Sequence, residues 1–229
     1  MKFSDLAYDL WSLFYPRICP ACDNPLVRNE EFLCTTCLMD LPRTHFHKDP
    51  ENEVAQMFWG RIKVENASAY LYFQKKSKVQ HLLHKLKYKG DKEIGRFLGR
   101  MAGNELKETP FGQIDMIISL PLHPKKQKIR GYNQSEMIAL GLGEAMGKKI
   151  ETNVLIRKFA NTTQTRKHRY ERWLNVEEVF EVVNYDKIAN KHVLLVDDVV
   201  TTGATLEASA GELLKAGNTK VSIVTLAKA

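Results

Sequence analysis

Two stretches of this chain hold residues whose types and spacing could do chemistry. The first, VLLVDDVVTTGATL at 193–206, sets Asp197 and Asp198 directly after an all-apolar run and follows them with Thr-Thr-Gly-Ala-Thr. Carrying two carboxylates to the end of a buried strand costs free energy unless they hold something. Gly203 and Ala204 let the backbone approach a ligand closely, and the first N–H groups of the helix expected near Leu206 have no partner within that helix. Thr201, Thr202 and Thr205 add hydroxyls at the positive end of the helix dipole, so the turn reads as a phosphate cradle. No lysine follows the glycine, and the GxxxxGK[ST] nucleotide loop does not match. Acids beside a cradle suit a ribose 5-phosphate. The cradle grips the phosphate, and Asp197 and Asp198 accept hydrogen bonds from the ring hydroxyls, directly or through Mg²⁺. A surface turn with an aspartate cap would account for one acid, not for both acids and the cradle.

The second stretch holds all four cysteines, as CPAC (Cys19, Cys22) and CTTC (Cys34, Cys37). Two Cys-x-x-Cys knuckles offer four thiolates, the closed tetrahedral shell that structural zinc prefers. Reduced thiols in a core would not require paired spacing. A complete shell leaves His45 and His47 without a role, and they read as surface histidines.

The elements that must position these groups follow from periodicity. Residues 1–50 read as the zinc module, led by an amphipathic segment with Leu6, Leu10, Leu13 and Phe14, and KDPENE (48–53) reads as a polar linker. From 54 to 229 strands and helices alternate. ASAYLYF (67–73), IDMIIS (114–119), HVLLVD (192–197) and VSIVTL (221–226) read as strands. Helical spacing relates Val79, Leu82, Leu83 and Leu86, then Ile94, Phe97, Leu98 and Met101, then Met137, Ile138, Ala145 and Met146, and last Leu206, Ala210, Leu213 and Leu214, with Gly217 as a cap. Such alternation predicts an α/β fold with a mostly parallel sheet and helices on both faces. Ligands of these folds sit beyond the carboxyl ends of the strands, where Asp197 is expected to leave the sheet.

The 197–205 stretch resembles the phosphoribosyl pyrophosphate (PRPP) motif of type I phosphoribosyltransferases. That resemblance implies that Asp197 and Asp198 are the catalytic acids on the ribose and that Thr201 to Thr205 hold its 5-phosphate. LHKLKYKGDKEIG (83–95), SLPLHPKKQKIRGYNQSEMIA (119–139) and the scattered set Gln164, Thr165, Arg169, Arg172, Asn175 and Val176 resemble the ComF family. Its members are competence-associated, phosphoribosyltransferase-like proteins with an N-terminal four-cysteine module. The resemblance runs along nearly the whole chain in the same order, and RGYNQSE after the PLHPKK loop is its most specific part. TRKH at 165–168 departs from it, where the family has a smaller, glycine-containing turn. The loop at Lys125 and Lys126 follows a strand, at the place where the enzymes that it resembles bind pyrophosphate.

Composition adds a direction. The formal charge is +7, which favours anionic partners without naming one. Residues 75–92 carry seven lysines against the single acid Asp91. Lys125, Lys126, Lys128 and Arg130 form a second run, and Arg166, Lys167, Arg169 and Arg172 a third. Charge runs are usually solvated faces. Here Tyr88, Tyr132, Tyr170 and Trp173 lie in or beside them, and basic groups interleaved with aromatics can track a single strand. Lys85, Lys87, Tyr88, Lys89, Arg130, Arg169 and Arg172 are therefore the nucleic-acid candidates. His123 reads as a loop hydrogen-bonder. No apolar run reaches the roughly 18 residues of a membrane span, and the N-terminus reads as mature protein, so a cytoplasmic location is expected.

The ComF resemblance implies a role in uptake and processing of transforming DNA, with PRPP or a related ribose phosphate and single-stranded DNA as ligands and DNA-uptake proteins as further partners. Two other readings stay open: a salvage phosphoribosyltransferase joining a nitrogenous base to PRPP, and a scaffold that keeps the pocket to sense a nucleotide. No segment announces a hood for base recognition.

Overall fold

The computed structural model describes residues 14–158 and 179–229. Leu6, Leu10 and Leu13 of the lead-in, the third basic run with Arg169 and Arg172, and Tyr170 and Trp173 lie outside the described residues.

The cysteine knuckles come first, the second running into a short helix, α1 (Thr35–Met39). Helix α2 (Glu53–Gln56) follows, capped by Asn52, whose side chain accepts from the N–H groups of Val54 and Ala55. The same side chain donates to the Ala67 carbonyl at 2.8 Å, so the predicted linker is pinned to the first strand. Strand β1 (Ala67–Tyr72) leads to helices α3 (Lys78–Tyr88) and α4 (Lys92–Leu106). Strand β2 (Met116–Ser119), α5 (Pro124–Arg130), α6 (Gln134–Met146) and β3 (Lys149–Glu151) come next. Strands β4 (Leu155–Lys158) and β5 (Val179–Val182) form an antiparallel pair, and β6 (His192–Val200), α7 (Ala204–Leu214) and β7 (Lys220–Lys228) complete the chain.

The main sheet has the order β1-β7-β6-β2-β3, and every pairing in it is parallel. Central strand β6 is apolar without alternation because both its faces are covered. Leu194 and Val196 pack with α3, α4 and α6, whereas Val193 and Leu195 pack with α2 and α7. Each such side chain, fully buried, contributes roughly 1.5–3 kcal/mol. The cysteine module belongs to the first of these cores. Cys19, Leu33, Cys37 and Leu41 are buried in it, and the rings of Phe32 and Phe97 stand 4.8 Å apart.

Helices α4 and α6 are in backbone contact. A Cβ built on Gly99 would stand 2.3 Å from the Ile138 carbonyl oxygen, and one on Gly141 would stand 2.0 Å from that of Arg96. No side chain fits at either position. The close approach sets α6 against the sheet, and with it the N-terminal turn that faces Asp197.

Two boundaries differ from the periodicity reading. Strand β6 continues to Val200 rather than releasing the chain from the sheet at Asp197, because its ladder to β7 goes on through Asp197↔Thr225 and Val199↔Ala227. The acids therefore stand on the strand itself. Helix α7 starts at Ala204 and is capped by Lys215 in right-handed helical conformation, and Asn218, not Gly217, takes the left-handed one (φ 56°). Among the described residues no helix is long and apolar enough to cross a membrane.

Candidate ribose-phosphate site

Pairing with β7 holds the end of β6 rigidly, so the Asp197 and Asp198 side chains project on opposite faces of a fixed strand. Asp197 Oδ1 accepts a hydrogen bond from the Ser135 hydroxyl at 2.8 Å and another from the Asp198 N–H at 2.7 Å. Burial, and after it the charge of neighbouring Asp198, pushes the Asp197 carboxyl up to about 7, against the pull of those donors and of Lys87. Asp198 Oδ2 lies 2.8 Å from the Lys87 ammonium. One acid is thus poised near neutrality while the other is matched by a cation. That is how adjacent carboxylates coexist at one strand end.

The turn that follows has the geometry of a cradle. Gly203 caps α7 in the left-handed conformation (φ 77°), where a Cβ would be strained and would meet the Phe58 ring at 3.2 Å. Thr202 Oγ1 accepts from the Ala204 N–H at 3.4 Å, and Thr201, Thr202 and Ala204 are exposed. Asp197 and residues 199–206 line one cleft. Arg61, which carried no pattern in the sequence, donates to the Thr202 carbonyl at 3.3 Å and pairs with Glu207 in the first turn of α7. It braces the turn, its charge matched by Glu207.

RGYNQSE proves to be a positioning device. Gly131 ends α5 in left-handed conformation, and the buried Tyr132 donates its hydroxyl to the Leu86 carbonyl of α3. Asn133 caps α6 through the Ser135 N–H and donates to the Leu120 carbonyl at 2.8 Å. These bonds aim Ser135 at Asp197. Sequence reasoning quoted the motif but did not assign Ser135 a role; a hydroxyl within the first turn of a helix was its only cue. His123 caps α5 by accepting from the Lys125 N–H at Nδ1, as a loop hydrogen-bonder would. Lys125 and Lys126 are exposed on α5, which follows β2 at the same sheet edge as the acids.

The first basic run divides. Lys85 is paired with Asp23 of the cysteine module at 2.5 Å, Lys78 with Asp40 at 2.8 Å, and Lys87 with Asp198. Lys78 and Lys85 of α3 thus face the cysteine module, while Gln80, His84 and Tyr88 on the same helix stay exposed. Lys89 and Tyr88 are exposed, and the guanidinium of Arg130 lies 5.3 Å from the centre of the Tyr88 ring. A cavity of about 420 Å³ runs from Tyr88 to Asp198, with Phe73, Leu83, His84 and Lys87 also on its walls.

The four cysteines converge as their spacing predicts. Their sulfurs lie within 4.8 Å of one another, and none is in a disulfide. Burial alone would raise the Cys19 thiol, but the N–H groups of Cys34, Ala21 and Cys22 aim at its sulfur and bring it down to about 7. Backbone donors around thiolates are the setting a tetrahedral metal requires, and the cluster could hold a metal such as zinc. His47 departs from the surface reading: its side chain is only 8% exposed and faces Glu105, with His45 beside it.

A phosphoribosyl transferase domain model matches residues 141–229. The chain is 29% identical over 217 residues to the DNA utilization protein YhgH of Escherichia coli O6:H1, covering 92% of this chain and 90% of that one. It is 27% identical over 212 residues to the competence protein ComFC of Bacillus subtilis, covering 92% and 83%. Among solved structures it is similar to a glutamine PRPP amidotransferase from B. subtilis complexed with ADP and GMP, with 20% identity and a TM-score of 0.42. That match covers 62% of this chain and 30% of the other.

Proposed function

We propose, from the chain's membership of the ComF family and its type I phosphoribosyltransferase fold, that it binds PRPP or a related ribose phosphate at Asp197–Thr205 and serves a competence-related handling of DNA. The observation that carries the reading is the sharing of one sheet edge by a near-neutral acid, a cation-matched acid and the Gly203 cradle. A ribose phosphate fits that order: phosphate on the α7 N-terminus, ring hydroxyls on Asp197 and Asp198. Positive charge that builds on the ring as pyrophosphate departs would be stabilised by the two carboxylates. Mg²⁺, if carried in with PRPP, would neutralise its diphosphate, and Asp197 and Asp198 are the carboxylates that could help hold it. Lys125 and Lys126 stand at the same edge for the pyrophosphate oxygens. Zinc in the four-cysteine cluster would be structural, since four thiolates leave no open position.

Single-stranded DNA is the proposed second ligand, on Tyr88, Lys89 and Arg130 beside the cavity. A stacked base and a tracked phosphate match an exposed ring with cations next to it. The cavity also favours a second reading, because apolar walls against Asp198 provide room for a nitrogenous base, as a salvage enzyme needs. The discriminating experiment follows PRPP consumption with Mg²⁺ against a panel of bases, with and without single-stranded DNA. Consumption that depends on a free base supports the salvage enzyme. PRPP binding without turnover, altered by DNA, supports the first reading. No PRPP binding under any condition would overturn both.

A further inference from the structure

We infer that His45, His47 and Glu105 form a second metal site, separate from the four cysteines, for a zinc-class divalent ion. The three donor atoms lie within 4.8 Å of one another. His45 and His47 flank Phe46, whose ring is buried against Tyr72 at a centroid distance of 5.5 Å. Sinking Phe46 into the core turns both imidazoles towards Glu105, which stands in the last turn of α4.

Neither imidazole hydrogen-bonds Glu105 directly. His45 Nδ1 is 4.0 Å and His47 Nδ1 3.9 Å from the same oxygen, Glu105 Oε2. Both are too long for a hydrogen bond, which needs about 2.7–3.2 Å. Ligand atoms about 2.0–2.1 Å from a tetrahedral ion stand roughly 3.4 Å apart, so each imidazole would need to close by about half an ångström on Glu105, and the two imidazoles, whose ligand atoms are within 4.8 Å, would close on each other as well. The other carboxylate oxygen, Oε1, is held by Arg43 at 3.4 Å, which orients Glu105 and leaves Oε2 to the imidazoles. A second observation points into the same place. The Tyr70 hydroxyl, in a buried side chain, lies beside Glu105 and Arg43 without a hydrogen bond of normal geometry to either. A water on the fourth position of the ion would give it a partner. Two imidazoles and a carboxylate suit zinc, cobalt and nickel better than magnesium or calcium, whose ligands are oxygens. The site would clip the segment leaving the cysteine module to helix α4, across the junction of the two parts of the chain.

The test compares wild-type protein, its cysteines left intact, with His45→Gln and Glu105→Gln. Each is dialysed against micromolar Zn²⁺ and its metal content measured, with folding checked by circular dichroism. His45 is exposed, so that variant keeps the fold even if changes near the buried His47 do not. The wild type is expected to hold about one ion more than either variant and to bind it at least tenfold more tightly. Co²⁺ added to protein whose cysteines already hold zinc should give d–d bands without thiolate charge-transfer absorption. Equal metal content in all three proteins, or cobalt bands unchanged by His45→Gln, would overturn the site whatever the cysteines hold.

Discussion

The Lys87 ammonium lies 2.8 Å from Asp198 Oδ2, joining helix α3 to the end of strand β6. In the sequence these residues belong to unrelated patterns, a basic run and an acidic pair. In the fold the lysine pairs with Asp198, while burial beside that acid pushes the Asp197 carboxyl up to about 7.

That asymmetry has a pH signature. The folded Asp197 carboxyl holds its proton up to about 7, against 3.8 for the ordinary group. Between those values the folded state binds more protons than the unfolded one. The contribution of this group is therefore fullest below the unfolded value and is lost as pH rises through about 7. Asp197→Asn keeps the oxygen that accepts from Ser135 and removes the titration. Urea denaturation should find the variant more stable than wild type at pH 8, by a few kcal/mol at most, with the gap closing towards pH 4. The reverse trend would mean that Asp197 is ionised in the fold.

The same acids carry the ligand. Calorimetric titration of PRPP with Mg²⁺ should give binding that Asp197→Asn/Asp198→Asn weakens at unchanged secondary structure. Equal affinity in wild type and double mutant would assign the acids another role.

Gly203→Ala tests the cradle. The left-handed conformation costs a non-glycine residue about 1–2 kcal/mol, and the added Cβ presses on Phe58. A lower melting temperature should accompany weaker ribose-phosphate binding. Loss of stability with binding intact would show that the turn shapes the fold and not the ligand site.

For the cysteines, Cys19→Ser or Cys34→Ser should remove about one zinc per chain and destabilise the module. The Phe32–Phe97 contact and the Lys85–Asp23 pair should loosen with it, so increased amide exchange is expected in α3 and α4. Fully folded, metal-free wild-type protein would exclude a structural zinc.

On single-stranded DNA, affinity should fall with salt at a log–log slope of roughly −0.7 per phosphate contacted. Lys89→Gln should flatten that slope. Tyr88→Ala should weaken binding by about 1–3 kcal/mol with little change in slope. Lys85→Gln should act mainly on stability, through its bond to Asp23. Binding indifferent to salt and to Tyr88 would leave this surface an ordinary solvated face.

By itself the sequence determined the parts that depend on local order. Four cysteines in two knuckles, the DDVVTTGAT stretch at a strand end and the alternation of strands with amphipathic helices are patterns of neighbours along the chain. Each was legible because the physics behind it, metal coordination, capping or one-sided burial, acts within a few residues. Tertiary structure decided what depends on distant partners. It extended β6 through the acids by a ladder to β7, aimed Ser135 at Asp197, and spent Lys85 and Lys87 on Asp23 and Asp198. It also turned His47 inward onto Glu105. None of these could be read from spacing, because a side chain's charge or hydroxyl has no fixed meaning until folding supplies the group opposite it.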